Sequence, residues 1–78
     1  MTVYERIRNL REDRDLKQKD LAGLLSIGQT TYSDYELGKL GVPISVLVQL
    51  AEYYGTSIDY LVGLTDVETP YPRKKQRE

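Results

Sequence analysis

The sequence predicts an all-α fold, a compact bundle of five short helices, and three observations lead to it. Apolar residues recur at three- and four-residue steps, as in Val3, Ile7 and Leu10 or Leu47, Leu50, Ala51 and Tyr54. Residues that start helices (Thr2, Pro43, Ser57) alternate along the chain with glycines that end them (Gly38, Gly55, Gly63). No stretch keeps the two-residue alternation of a half-buried strand. The 78 residues suffice for one domain, which buries only about 60–65% of its unfolded surface and has to use its core economically.

The elements follow in order. Thr2 and Glu5 have the spacing of a capping box, and a first helix is expected over about 3–13. A second, over 18–25, carries Leu21, Ala22, Leu24 and Leu25, with Ala22 and Gly23 small where two helices should approach closely. Ser26-Ile27-Gly28 interrupts it, and Gly28 serves as N-cap for a third helix over 29–37 that stops at Gly38. After a loop, Pro43 suits the first position of a fourth helix over 43–54, because it lacks the N–H that is unpaired there. Gly55 ends it, and Ser57 caps a short fifth helix over 58–62. Tyr32, Tyr35 and Tyr54 are assigned to the core. The domain is expected to span 1–66. Residues 67–78, with two prolines and Arg73, Lys74, Lys75 and Arg77, are expected to form a flexible basic tail.

Composition narrows the chemistry. Without Cys or His there are no disulfides, thiolate or imidazole metal ligands, or His-activated nucleophiles. No carboxylate pair compels acid–base catalysis, so neither an enzyme nor a cofactor, metal or small-molecule ligand is expected. No apolar run approaches the ~20 residues that span a bilayer, and the start lacks a signal-peptide layout; a cytoplasmic protein with no membrane partner is expected. The net charge is −1, unevenly spread: +2 over 1–19, −6 over 20–69 and +3 over 70–78. A polyanion would have to be met chiefly by the ends of the chain.

The middle of the chain narrows the fold. Gln18-Lys19-Asp20-Leu21-Ala22, the apolar Ile27 before the third helix, and Tyr35-Glu36-Leu37-Gly38-Lys39 together resemble the helix-turn-helix of the phage-repressor (Cro-like, xenobiotic-response-element type) family. Leu50-Ala51-Glu52-Tyr53-Tyr54-Gly55-Thr56-Ser57 and the following Ile58 to Gly63 are similar to that family's last two helices. The resemblance covers about Val3 to Asp66. It implies a lambda-repressor-like domain whose partner is double-stranded DNA. It implies a sequence-specific transcriptional regulator, a repressor acting as a homodimer on an inverted-repeat operator. Geometry agrees, since a helix about 10–12 Å across fits a major groove about 12 Å wide.

On that resemblance Gln29, Thr30, Ser33 and Asp34 are the candidates for base readout. Gln29 can donate to and accept from adenine, against the plainer alternative of a solvated first-turn residue. Thr30 can meet a base, a phosphate or a thymine methyl, or none of these; residues placed as Ser33 and Thr31 are more often edge or packing residues. Asp34 either accepts from a cytosine amino group or is solvated and angled away. Lys17, Gln18, Lys19, Thr31 and Lys39 are the backbone-phosphate candidates, each lysine weighed against a merely solvated charge. The resemblance implies that Gln18 clamps a phosphate and orients Gln29. Lys17 stands where a Ser or Thr cap is usual, and Ser26 where Gly is commoner, at roughly 1 kcal/mol of strain. Glu36 is expected to pair with an arginine of the first helix. Leu40, Val42, Ile44, Val48 and Leu64, with Val46, either pack under the loop or make a dimer face. The alternative from another class is a protein-interaction module, an adaptor or antitoxin on the same scaffold, favoured by the acidic middle, Asp34 and the apolar loop.

Overall fold

A computed structural model of the chain describes residues 1–70. It contains α1 (Val3–Asp13), α2 (Gln18–Leu25), α3 (Gln29–Leu37), α4 (Ile44–Tyr54) and α5 (Ile58–Leu61), and no strand among the described residues. The all-α expectation holds, and each helix lies within a residue of its expected bounds. No described helix is long and apolar enough to cross a membrane.

Local chemistry sets the boundaries. Thr2 and Glu5 form the reciprocal capping box, with Glu5 Oε1 accepting from Thr2 N–H at 2.9 Å and Thr2 Oγ1 from Glu5 N–H at 3.2 Å. Gly38 ends α3 at φ +75°, where a Cβ would also meet the Tyr4 ring at 3.1 Å, so glycine is required there twice over. Pro43 corrects one expectation. Its ψ of 153° is not helical, so it is the N-cap, and α4 begins one residue later at Ile44. Val62 likewise caps α5 rather than belonging to it.

Packing of α2 on α3, α3 on α1, and α5 on α4 and α1 encloses one core. Ile7, Leu21, Tyr32, Leu50 and Leu61 are its most deeply buried members, and Tyr35 and Tyr54 join them as expected. Val46 is core as well and is withdrawn from the apolar face. Ala22 is buried between helices, but Gly23 is exposed, and a Cβ there would meet nothing within 4 Å. Close approach therefore does not explain Gly23. Gly23→Ala should raise stability by about 0.5–1 kcal/mol, since it removes the flexibility penalty of a mid-helix glycine. A urea midpoint with unchanged slope would show it; a loss of stability would mean that α2 packs more tightly than described.

Sequence patterning gave no sign that Arg6 is buried. Its guanidinium lies 3.8 Å over the Tyr60 ring, is 3.4 Å from Asp66, and its Nε donates to Met1 Sδ. After α5 the chain returns along α1 and α4: Thr56 donates to the Glu68 carbonyl, and the Glu68 carboxylate lies 3.3 Å from Arg14. Contacts thus extend to Glu68, beyond the expected boundary at Asp66. Arg73, Lys74, Lys75 and Arg77 lie outside the described residues.

Candidate nucleic-acid interface

The turn between α2 and α3 determines how α3 is presented. Ser26 takes the left-handed conformation, φ 57° and ψ 43°, as the C-cap of α2. Its N–H donates to Gly23 O, and Ile27 N–H donates to Ala22 O at 3.0 Å, which folds Ile27 back onto the core. The strain expected at Ser26 lies at this turn, at about 1–2 kcal/mol for a residue bearing a Cβ. Gly28 then enters α3 with extended backbone and no side chain to cap the first turn.

At the start of α2, Lys17 occupies the N-cap. An ammonium cannot accept a hydrogen bond. Only the reverse half of a capping box forms, with Asp20 Oδ2 accepting from Lys17 N–H at 2.8 Å. Lys17-x-x-Asp20 is a local signal that could have been found by reading the box from its carboxylate end.

Beneath the turn lies a polar clamp. Arg11 of α1 donates from Nε to Glu36 Oε2 at 2.7 Å and from NH2 to Glu36 Oε1 at 3.0 Å, a two-pronged pair between α1 and α3. Arg11 NH1 also donates to Leu16 O at 2.9 Å, tying down the α1–α2 connection. Gln18 Nε2 donates to the same Glu36 Oε1 at 3.1 Å, so α2 is held too. The expected partnership of Glu36 with a first-helix arginine is present, and the arginine is Arg11. Burial alone would raise the Glu36 pKa; hydrogen bonds led by Arg11 outweigh it and hold the carboxyl below its ordinary 4.5. Burial first, and Glu36 second, push the Tyr32 hydroxyl upward.

The sign of this shift fixes a pH dependence. Because the folded pKa of Glu36 is lowered, its contribution to stability is complete above the unfolded value of 4.5 and is lost as pH falls through the folded value. Chemical-denaturation midpoints should be level with respect to this group from pH 7 to about 5.5 and then fall. Glu5, lowered by its hydrogen bonds to Thr2, acts in the same direction. A midpoint unchanged down to pH 3 would contradict the clamp.

On the outer surface, Gln18, Gln29, Thr30 and Ser33 line one open depression. Gln29 and Thr30 are exposed; Gln18 and Ser33 are half-buried. Thr31 and Asp34, both half-buried, do not line it. The Asp34 carbonyl accepts from Lys39 N at 2.9 Å and Leu40 N at 3.3 Å, closing the far end of α3. Lys17, Lys19 and Lys39 are exposed, and no salt bridge among the described residues involves them. The ion pairs use Arg6, Arg8, Arg11 and Arg14.

Of the apolar face, Leu40, Ile44, Val48 and Leu64 are exposed, Ile44 at 75% and Leu64 at 77%. Val42 is half-buried and packs on the core. Leu37, not anticipated, is also exposed, at 62%.

A two-helix unit with a polar outer depression, braced by a third helix through a buried ion pair, is the architecture of a helix-turn-helix domain. Residues 4–67 match the family described as a helix-turn-helix domain, and the chain belongs to that family. Among curated relatives, it is 37% identical over 71 residues to the HTH-type transcriptional regulator YobD of Bacillus subtilis, covering 91% of this chain and 63% of the relative. It is 38% identical over 69 residues to the cryptic phage CTXphi transcriptional repressor RstR of Vibrio cholerae, covering 88% of this chain and 60% of that protein. The chain thus spans about three-fifths of the length of these relatives. The crystal structure of a transcriptional regulator from Listeria innocua superposes with a TM-score of 0.77 at 28% identity, covering 99% of this chain and 65% of that one.

Proposed function

We propose that this protein is a sequence-specific, double-stranded-DNA-binding transcriptional regulator of the cytoplasm, a repressor that acts as a homodimer on an inverted repeat. The observation that carries this is the grouping of Gln29, Thr30, Ser33 and Gln18 around one outer depression, with Lys17, Lys19 and Lys39 exposed at the ends of α2 and α3 or within α2. The names of the relatives, transcriptional regulators and a phage repressor, support it. Hydrogen-bonding side chains on the first turns of α3 meet base edges, while lysines at the helix ends meet phosphates and set the register. Asp34, away from the depression, is assigned no base contact.

The homodimer has two supports. One short helix reads only a few base pairs, and two-fold symmetry doubles the site, with half-sites near 34 Å apart. Exposed Leu40, Ile44, Val48 and Leu64 offer apolar surface for the contact, and Ile44 and Val48 lie one turn apart on α4. Fluorescence anisotropy against DNA from upstream of the protein's own gene tests the proposal. Binding at least about a thousandfold tighter than to random duplex at the same salt is expected. Equal binding to both would contradict it.

A further inference from the structure

We propose that the cleft between α1, α5 and the chain that follows α5 binds a basic α-amino acid, taking its carboxylate on Arg6 and Asn9 and its two cationic nitrogens on Asp66 and Asp13. The cleft shares no lining residue with the depression on α2 and α3, and its role goes beyond the DNA-binding function and does not depend on it. The sequence alone points to no ligand here, because it gives no sign that Arg6 is buried.

A buried guanidinium calls for strong acceptors, since its charge has lost water and all its N–H groups donate. The Arg6 side chain is 6% exposed, yet its acceptors are poor. Nε donates at 3.2 Å to the thioether of Met1, an uncharged and weak acceptor. NH2 lies 3.4 Å from Asp66, at the long end of a hydrogen bond, and that carboxylate is fully exposed to solvent. The Tyr60 ring, 3.8 Å from the guanidinium, offers a π face and not a lone pair. Asn9 Nδ2 also points at Met1 Sδ, at 3.6 Å. Two donors, one of them charged, thus converge on one sulfur. Met1 is 65% exposed and has a flexible side chain, so a carboxylate oxygen can take the place of that sulfur and receive both bonds with charge assistance.

Charge sets the rest of the ligand. The side chains lining the cleft carry one positive charge, on Arg6, and two negative, on Asp13 and Asp66, a net −1. A lone anion such as phosphate meets repulsion from both carboxylates, and a neutral zwitterion leaves one of them unmatched. One carboxylate with two cationic groups is the complement. Asp66, beside Arg6, is within reach of an α-ammonium next to the bound carboxylate. Asp13 lies seven residues further along α1, about 10 Å by the helix rise. It is the last residue of that helix, where unpaired carbonyls add to its attraction for a cation. A lysine or arginine side chain, lying along Leu10, bridges this span once hydrogen-bond lengths are added at both ends. The cleft volume of about 250 Å³ is below the roughly 300–1,000 Å³ of pockets for drug-sized ligands and suits a molecule this small.

Titration of the full chain with L-arginine to about 10 mM, followed by nitrogen–proton NMR, tests the assignment. Saturable shifts are expected at Arg6, Asn9, Asp13 and Tyr60, with the α3 depression unmoved. Agmatine, which lacks the carboxylate, and norvaline, which lacks the side-chain cation, should each bind at least about tenfold more weakly. Asn9 and Asp13 are exposed, so Asn9→Ala and Asp13→Asn should fold as the wild type does. Asn9→Ala should weaken arginine binding about fivefold, and Asp13→Asn should erase the preference for arginine over norvaline. No saturable shift in the cleft, or agmatine, norvaline or inorganic phosphate binding as tightly as arginine, would overturn the proposal. So would an undiminished preference for arginine in Asp13→Asn. None of these results bears on DNA binding, whose failure would show in the anisotropy measurement instead.

Discussion

Arg11→Ala should destabilise the protein by about 3–5 kcal/mol, the largest single-residue effect expected on the fold. Arg11 and Glu36 are 14% and 3% exposed in their side chains, so removing the guanidinium leaves a buried carboxylate without its two strongest hydrogen bonds. The same substitution releases the Leu16 carbonyl and loosens the α1–α2 connection. A domain this small is expected to have stability near the low end of about 5–15 kcal/mol, so much of the chain should be unfolded at 37 °C. Replacing both partners with methionine should cost far less, because no buried charge is left unpaired. Thermal melts of the single and double variants at pH 7 measure this. A single variant that melts within 2–4 °C of wild type, about what under 1 kcal/mol produces in a domain of this size, would show that the clamp contributes little.

Gln29→Ala should have the largest effect on recognition: about 1–3 kcal/mol of discrimination lost at one base pair, with the fold unchanged. Gln29 is exposed and takes no part in the core, so its removal leaves stability almost untouched. Lys17→Ala makes the contrast. Lys17 is exposed, without an ion pair among the described residues, at the N-terminus of α2. Its loss should weaken binding evenly across sequences and flatten the salt dependence by about one charge. Competition titrations at two salt concentrations separate the two effects. Equal loss of affinity for every sequence in Gln29→Ala would place base readout elsewhere.

The helices were legible in the sequence because their ends are written locally. Thr2 with Glu5, Gly38, Gly55 and Ser57 each act through residues within one turn, and each stands where expected. Pro43 was misplaced by one residue because a fixed φ suits both the N-cap and the first helical position, and ψ, which separates them, is not encoded by proline itself. Tertiary features were less legible. Val42 and Val46 belong to or pack on the core, although the same stretch also holds the exposed Leu40, Ile44 and Val48. Their periodicity alone does not say which face meets α5. Arg6 gave no signal, because its burial depends on Tyr60 and Asp66, more than fifty residues away.

At the site, three of the four residues named for base readout, Gln29, Thr30 and Ser33, line one depression together with Gln18. Asp34 lies off the depression and Gln18 lies on it. The acidity of α3 that remains nearby is Glu36, turned inward and neutralised by Arg11. The side chains that line the depression, Gln18, Gln29, Thr30 and Ser33, are uncharged and able to hydrogen-bond.

The most direct measurement of this account is a nitrogen–proton NMR titration of the protein with a duplex it selects. The largest shifts should fall on the backbone and side-chain amides of Gln18, Gln29, Thr30 and Ser33, with Lys17, Lys19 and Lys39 following. Shifts centred instead on the Arg6–Tyr60–Asp66 corner, with α3 unmoved, would contradict the claim that the first turns of α3 read DNA.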